Sequence, residues 1–261
     1  MKERNSRQSF LGENFDYAMA EVRVGIVGYS GGGSHTGQSL AHYGFKKYFI
    51  CDPDVFEESN IHRLIGSYYE DIINKTVKVD IAERVIKSIA GDADVIKVQK
   101  QWQECIDDPR FRECKIIFSG LDDFATRVQL ESFCRRHGII MIDIGMSVKK
   151  SGDYYFSMGQ VVMSHPYGPC FKCLNFITDK DLELEASRYG AVGIRQQVAS
   201  INGILSNVAV CLGIELLSGW TGSERFAFYK MLDGNILNLM DHPKVEEFSS
   251  KRCVCSHYSE S

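Results

Sequence analysis

The stretch Val22–Asp54 reads VRVGIVGYSGGGSHTGQSLAHYGFKKYFICDPD. Its first residues, Val22–Val27, form a short apolar run that a glycine-rich turn follows at once, a pattern typical of a strand buried on both faces of a parallel sheet. A helix is expected over about Ser34–Tyr43, and Tyr48–Cys51 reads as a second strand. The stretch therefore predicts one strand–helix–strand unit.

The alternation of strands and helices continues beyond this unit. Apolar runs predict strands at Asp94–Val98, Cys114–Ser119 and Ile139–Ile144, and helical patterns begin near Thr76 and cover Asp123–His137. We therefore predict an α/β fold with a doubly wound, mainly parallel Rossmann-like sheet and helices on both faces. Ligands of such folds bind at the carboxyl ends of the strands.

The pattern changes after residue 145. Tyr154–Met158 and Gly159–Met163 read as antiparallel strands, Val198–Leu217 as a long helix, and Phe226–Met231 as a further strand. With no internal repeat or low-complexity linker in the sequence, we expect residues 1–261 to form a single domain. Its nucleotide-binding half would cover about 20–145, and a C-terminal antiparallel extension would lie within about 146–261.

Composition limits the classes of function. The 261 residues carry a net charge of −4 with a pI near 6.0, which offers no basic field for nucleic acid. The polar N-terminus and the lack of an uninterrupted apolar run of about 20 residues predict a soluble, cytoplasmic protein without a membrane segment. The nine cysteines are expected to be reduced thiols or metal ligands.

The glycine turn lies where backbone N–H groups and a helix dipole can hold phosphate oxygens. Gly28, Gly31 and Gly33 are the candidate contacts, and Ser30 stands where a second glycine is usual. Asp52 ends the next strand, where an acidic residue hydrogen-bonds a ribose hydroxyl. A tight turn without a ligand is the alternative, but together these residues indicate a nucleotide site.

Further polar side chains follow Asp52 in quick succession, namely Asp54, Asn60 and Arg63. A site for NAD needs little beyond the glycine turn and one acidic residue. A second carboxylate, an amide and a guanidinium suit a triphosphate and its metal ion better. Each of these charges, taken singly, would be read as a solvated surface residue.

Six motifs together resemble the ThiF-type superfamily of adenylating enzymes, which includes ubiquitin-activating enzymes and the activators of sulfur-carrier proteins. They follow the family's order and cover most of the chain. The motifs are RNSRQ (4–8), the glycine turn (28–33), DPD with SNIHR (52–63), KTVKVDIAERV (75–85), GLDDFATR (120–127) and PCFKC (169–173).

The resemblance implies roles for individual residues. Asp52 would bind the ATP ribose, and Asn60 and Arg63 would contact the phosphates. Lys78 matches the family's lysine best, with Lys75 as the second choice. These assignments make ATP the expected cofactor.

The resemblance also implies a metal ion and a dimer. Asp122 matches an aspartate associated with Mg²⁺, although its neighbour Asp123 stands where many relatives have asparagine. Arg7 resembles an arginine that reaches into the ATP site of the opposite subunit. A homodimer is therefore expected.

Two cysteine pairs suggest a second metal site. Cys170 and Cys173 have the spacing of half a tetrahedral zinc site, and Cys253 and Cys255 could supply the other half. The family often places a structural Zn²⁺ here with two C-x-x-C pairs, whereas the second pair of this chain is C-x-C. His257 is a possible substitute ligand, and two unlinked pairs of thiols are the alternative.

The expected function is ATP-dependent adenylation of the C-terminal glycine carboxylate of a small ubiquitin-like or sulfur-carrier protein, with release of pyrophosphate. The tail of that partner would lie along Tyr154–Met163 and under a loop at Asp179–Gln197. No cysteine lies between Leu174 and Val210, where some relatives form a thioester or persulfide. An NAD-binding oxidoreductase and a nucleotide-binding scaffold without catalysis are the alternatives.

Overall fold

The computed structural model describes residues 6–12, 14–187, 196–222 and 224–248. Within these ranges eight strands form one sheet in the order β3-β2-β1-β4-β5-β6-β7-β8. The strands are β1 (Arg23–Val27), β2 (Lys47–Cys51), β3 (Asp94–Val98), β4 (Ile116–Ser119), β5 (Ile140–Ser151), β6 (Tyr154–Ser164), β7 (Phe228–Asp233) and β8 (Asn238–Asp241).

Helices cover both faces of this sheet. Three short 3-10 helices also occur, at Ser6–Leu11, Glu58–Asn60 and Trp102–Cys105. The α-helices of the described ranges are α1 (Phe15–Glu21), α2 (Gly31–His42), α3 (Tyr69–Ile73), α4 (Lys78–Ile89), α5 (Pro109–Arg112), α6 (Phe124–Arg136), α7 (Asp179–Ser187), α8 (Ala199–Ser218) and α9 (Lys244–Phe248).

The first five strands are parallel, and the chain reverses its direction of winding at β1. Strands β2 and β3 lie on one side of β1, while β4 and β5 lie on the other. A crevice is expected outside the carboxyl ends of β1 and β4 at such a switch point. The predicted doubly wound sheet is confirmed.

Two apolar cores lie on the two faces of the sheet. One contains Leu40 of α2, Ile81 of α4 and Leu205 of α8, all fully buried. The other contains Phe111 of α5 and Phe133 of α6, whose rings stack at 5.1 Å. Burial on both faces explains why β1, β2 and β4 are continuous apolar runs in the sequence.

The antiparallel extension differs from the prediction in one respect. The two strands expected at 154–158 and 159–163 are a single strand, β6, which pairs with β5 over eleven residues. Gly159 suggested a break between two strands. The position instead requires a glycine because a Cβ there would lie 2.3 Å from Leu205 Cδ1. The glycine allows α8 to pack closely against the sheet.

The segment 179–197 was expected to be a loop, but it begins with the helix α7. Thr178 and Asp181 start this helix, because the Thr178 N–H and hydroxyl both donate to the Asp181 carboxylate. Near its end, the Glu185 carboxylate accepts hydrogen bonds from the N–H groups of Phe124 and Ala125 at 2.9–3.0 Å. Residues 188–195 lie outside the described ranges.

Among the described residues, helix α8 is long and apolar enough to cross a membrane by length and composition alone. An 18-residue window within its 20 residues has a mean hydropathy of 1.6. Asn202, Ser206, Asn207 and the charged Glu215 interrupt its apolar residues, so the sequence contains no uninterrupted apolar run of about 20 residues, as expected. In the fold 56% of that window is buried within the protein.

Candidate active site

A cleft of roughly 460 Å³ lies at the carboxyl ends of β1, β2 and β4. Its walls come from the glycine turn after β1, the DPD segment after β2, the loop between β4 and α6, and the beginning of α8. Most of the candidate residues therefore converge on one place. They come together because parallel strands end at the same edge of a sheet.

The glycine turn needs its glycines for close backbone approach. Gly28 has a φ of +87°, and a Cβ there would meet the Gly120 carbonyl oxygen at 2.9 Å. A Cβ on Gly33 would lie 2.1 Å from the Gly28 carbonyl oxygen, so Gly33 serves packing and is not a wall of the cleft. Helix α2 begins already at Gly31, and Ser30 makes no side-chain cap at its start. Such a helix N-terminus favours a bound anion.

Ser30, the departure from the glycine pattern, contacts a second candidate residue. The Arg63 Nε donates to Ser30 Oγ at 3.3 Å, and Arg63 Nη1 donates to the Ser59 carbonyl at 2.7 Å. Both Ser30 and Arg63 line the cleft. The hydroxyl therefore helps to hold the guanidinium in place.

Asp52, Asp54 and Lys78 form a cluster of charges at the end of β2. Lys78 Nζ lies 2.6 Å from Asp54 Oδ2 and 3.8 Å from Asp52 Oδ1. Asp52 also accepts the Tyr29 N–H at 2.6 Å and the Asp54 N–H at 2.9 Å, which ties it to the glycine turn. Burial raises the pKa of Asp52, and the Lys78 charge partly offsets this rise.

The two candidate lysines, Lys78 as first choice and Lys75 as second, differ in position. Lys78 is buried and lines the cleft. Lys75 is exposed, has a φ of +49°, and does not line the cleft. The amide of Asn60 is buried nearby, where its Oδ1 accepts the Glu57 N–H at 3.3 Å.

Two neighbouring carboxylates follow β4, and they differ in their surroundings. Asp122 is exposed and lines the cleft. Asp123 caps α6, because its Oδ1 accepts the Thr126 N–H at 2.6 Å. Asparagine and aspartate are equally good N-caps, so this substitution leaves the start of α6 intact.

Arg7, like Gly33 and Lys75, does not line the cleft. It is exposed on the first 3-10 helix. Phe10 of the same helix contacts Trp220 edge-to-face, with ring centroids 5.7 Å apart. This helix therefore lies next to the C-terminal end of α8.

The candidate zinc residues are only partly described. Cys170 Sγ lies 3.6 Å from Cys173 Sγ, and Cys173 is disulfide-bonded. Cys253, Cys255 and His257 lie outside the described ranges. Within those ranges, no group of three or more His, Cys, Asp or Glu residues could hold a metal ion.

One cysteine, Cys51, lies in the wall of the cleft. Its Sγ lies 3.6 Å from Cys105 Sγ and contacts the Lys100 carbonyl at 3.0 Å. The hydrogen bond to Cys105 and burial raise the pKa of Cys51. A protonated, buried thiol is a poor nucleophile.

Sequence reasoning gave no role to three polar residues beside the cleft, Ser119, Arg127 and Asp143. Asp143 and Ser119 are fully buried, and Arg127 lines the cleft wall. Arg127 ends the GLDDFATR motif, and Asp143 interrupts an otherwise apolar strand. A buried charge within an apolar run was the signal that could have identified them.

Solved structures share this fold. The chain superposes on E. coli MccB with ATP at a TM-score of 0.76 and 16% identity, covering 97% of this chain and 73% of that one. With the complex of E. coli MccB and MccA-N7isoASN the TM-score is 0.79 at 15% identity, covering 100% and 75%. At such identities the likeness concerns the fold alone.

Relatives with detectable sequence similarity share a higher percentage of identical residues with the chain than these structures do. The chain is 31% identical over 179 residues to the sulfur carrier protein ThiS adenylyltransferase of Bacillus subtilis, covering 67% of this chain and 51% of that protein. It is 28% identical over 152 residues to the SAMP-activating enzyme E1 of Haloferax volcanii, covering 58% and 53%. The chain thus spans about half the length of these relatives. A family model described as the ThiF family matches residues 3–255.

Proposed function

The chain belongs to the ThiF family, and from this premise we propose that it is an adenylyltransferase. It uses ATP to adenylate the C-terminal glycine carboxylate of a small ubiquitin-like or sulfur-carrier protein and releases pyrophosphate. The names of the relatives from Bacillus subtilis and Haloferax volcanii support this activity. The observation that carries it is a single cleft in which the glycine turn meets Asp52, Arg63 and Lys78.

The residues of the cleft fit a reaction that needs no general base. A C-terminal carboxylate is already ionised at neutral pH, so it can attack the α-phosphorus directly. Arg63, Lys78 and the Asn60 amide would hold the phosphates and offset the charge of the leaving pyrophosphate. Lys78 would exchange its contact with Asp54 for a phosphate oxygen.

We propose that Mg²⁺ accompanies the nucleotide. Carboxylate and phosphate oxygens are the ligands that Mg²⁺ prefers, and Asp122 offers an exposed carboxylate in the cleft wall. Asp123 is less available because it caps α6. The ion would neutralise negative charge on the phosphates.

We propose that the partner protein docks on the antiparallel extension. Phe156 and Met158 are 42% and 43% exposed, and they share a face of β6 with Gln160, which pairs with Gly145 in the cleft wall. Met240 of β8 is also exposed on this face. An apolar surface that leads into the cleft suits a small globular protein whose tail enters the active site.

We propose that Cys170 and Cys173 supply two of the four ligands of a structural Zn²⁺ in the reduced protein, with Cys253 and Cys255 as the other two. Two thiolates on a tetrahedral zinc ion lie about 3.8 Å apart, close to the 3.6 Å between these sulfurs. Purified under reducing conditions, the chain should contain zinc in a one-to-one ratio, and Cys170→Ser should lose it. Elemental analysis that finds no zinc in the reduced wild-type chain would refute the site.

We propose a homodimer that forms through the outer face of α8. Ala199, Gly203, Ile204 and Val208 line an open, mainly apolar groove that extends to Trp220. Trp220 contacts Phe10, three residues after Arg7. A second copy seated on this groove would lie next to Arg7, as the predicted role of that arginine requires.

Pyrophosphate exchange tests the central proposal. With a cognate carrier protein, the chain should incorporate labelled pyrophosphate into ATP. Asp122→Ala and Arg63→Ala should each reduce this exchange at least about 100-fold with the fold intact by circular dichroism, because they remove charges that act on the phosphates. Full exchange in both variants would show that the site lies elsewhere.

Thermal unfolding separates the alternatives. ATP should raise the midpoint of unfolding, whereas NAD should not. Protection by NAD alone would favour an oxidoreductase. Protection by ATP without exchange in the presence of a cognate carrier would favour a scaffold.

A further inference from the structure

Behind the wall of the cleft lies a buried polar cluster on β4 and β5. Ser119 and Asp143 are directly opposite each other in the parallel register, and both are fully buried. The Ser119 hydroxyl donates to Asp143 Oδ1 at 2.8 Å. Within the described part of the chain, Asp143 Oδ2 makes no hydrogen bond.

Arg127 connects this cluster to the loop that carries Asp122. Its Nη1 lies 3.5 Å from Asp143 Oδ2. Its Nε and Nη2 both donate to the Leu121 carbonyl, at 2.9 and 2.6 Å. Because Leu121 directly precedes Asp122, the guanidinium fixes the backbone from which the Asp122 side chain extends.

The neighbouring backbone leaves room for this arrangement. A Cβ on Gly145 would lie 3.2 Å from Arg127 Nη2 and 2.5 Å from Gln160 Nε2. A side chain at position 145 would therefore displace the Gln160 amide and crowd the Arg127 guanidinium. The glycine thus leaves space for the guanidinium beside Asp143.

Burying the charged groups of this cluster costs free energy of folding. Burial raises the pKa of Asp143, and the charge of Arg127 and the hydrogen bond from Ser119 only partly oppose this rise. Buried ion pairs add little net stability, and apolar residues of similar volume often replace them without loss. A buried aspartate beside an active cleft is therefore better explained by a role in positioning.

We propose that Asp143 is a positioning residue, which acts through Arg127 to hold the Leu121 carbonyl and thereby aims the Asp122 carboxylate at the magnesium ion of the bound nucleotide. This inference rests on the proposed function. It predicts that the contacts from Asp143 through Arg127 to Leu121 affect the concentration of Mg²⁺ that nucleotide binding requires. They should not affect the binding of ATP without Mg²⁺.

The test measures the magnesium dependence of nucleotide binding, which needs no carrier protein. The thermal midpoint of the chain is recorded with ATP in EDTA and over a series of MgCl₂ concentrations. The MgCl₂ concentration that gives half of the magnesium-dependent rise in the thermal midpoint should be about tenfold higher in Asp143→Asn than in the wild type. Loss of a residue that supports a metal-binding carboxylate typically has an effect of this size. The rise with ATP in EDTA should stay as in the wild type.

Asp71→Asn is the matched control. Asp71 is also a buried carboxylate paired with an arginine, Arg84, but it does not line the cleft. Its replacement should lower the midpoint without ligand and leave the magnesium requirement unchanged. A general loss of stability would affect both variants alike.

Arg127→Lys provides the second variant in case Asp143→Asn does not fold. Lysine keeps the charge but cannot donate two parallel hydrogen bonds to the Leu121 carbonyl, so the same tenfold increase is expected. An unchanged magnesium requirement in the folded variants would overturn the inference. Failure of the wild-type chain to respond to ATP would instead contradict the proposed function.

Discussion

Arg63 and Ser30 illustrate how single residues shape the end of the cleft that is proposed to hold the phosphates. Arg63 donates to the Ser30 hydroxyl and to the Ser59 carbonyl, so its guanidinium is held from two sides. An arginine held in this way loses less side-chain entropy when it binds phosphate. The serine therefore contributes to the site where the usual glycine could not.

Replacement of Ser30 by alanine should weaken ATP binding by about 2- to 10-fold, because one hydrogen bond to the guanidinium is lost. Arg63→Ala removes a charged contact with the phosphates and should weaken binding by more than about 10-fold. Isothermal titration calorimetry with ATP measures both changes. A larger loss in Ser30→Ala than in Arg63→Ala would contradict this account.

Individual residues of the site were predictable where a motif fixed their distance from a strand end. Asp52 follows β2 directly and Asp122 is the third residue after β4, so their place beside the cleft followed from the sheet. The sequence ranked Lys78 above Lys75, and the structure places Lys78 buried in the cleft wall at the start of α4 and Lys75 exposed before that helix. Asp143 was missed because its partner Arg127 lies 16 positions away on another element.

At the scale of elements, helix α8 combines two surfaces. Its inner side carries Leu205, Ala209 and Leu212, which pack in the core. Its outer side, with Ile204 and Val208, remains partly exposed in the groove. Such an apolar outer side on a long helix is expected to be covered by a partner.

Val208→Asp should convert the proposed dimer into monomers, because it places a charge in the middle of the proposed apolar interface. Ile236→Asp is the control, since Ile236 is 71% exposed in the turn between β7 and β8, away from the groove. Sedimentation velocity measures the mass of each variant. A monomeric wild-type chain, or dimers in Val208→Asp, would rule out this interface.

Most elements were predictable because each has one clear period of hydrophobicity. The exceptions are instructive: Gly159 resembled a break in a strand, and the polar segment 179–187 resembled a loop. The first is decided by packing against Leu205. The second has a local cause, the hydrogen bonds between Thr178 and Asp181, and a tertiary one, the contact of Glu185 with the N-terminus of α6. Local patterns cannot reveal contacts of that range.

At the scale of the whole molecule, one sheet runs through both halves of the chain. Strand β5 pairs with β4 in parallel through residues 140–143 and with β6 in antiparallel along 141–151. The same strand thus carries Asp143 behind the cleft and continues towards the surface proposed for the partner. The change from a parallel to an antiparallel sheet was predictable from the sequence, but the sharing of one strand was not.

The length of β5 has a consequence for how such proteins can be rearranged. A fragment that ended after β5 would leave Ile142 and Ile144 on a bare edge, open to pairing with other chains. The nucleotide-binding half is therefore not a transplantable module. Recombination that exchanges recognition surfaces between homologues would have to keep the β5–β6 hairpin whole and graft only its solvent-facing side chains.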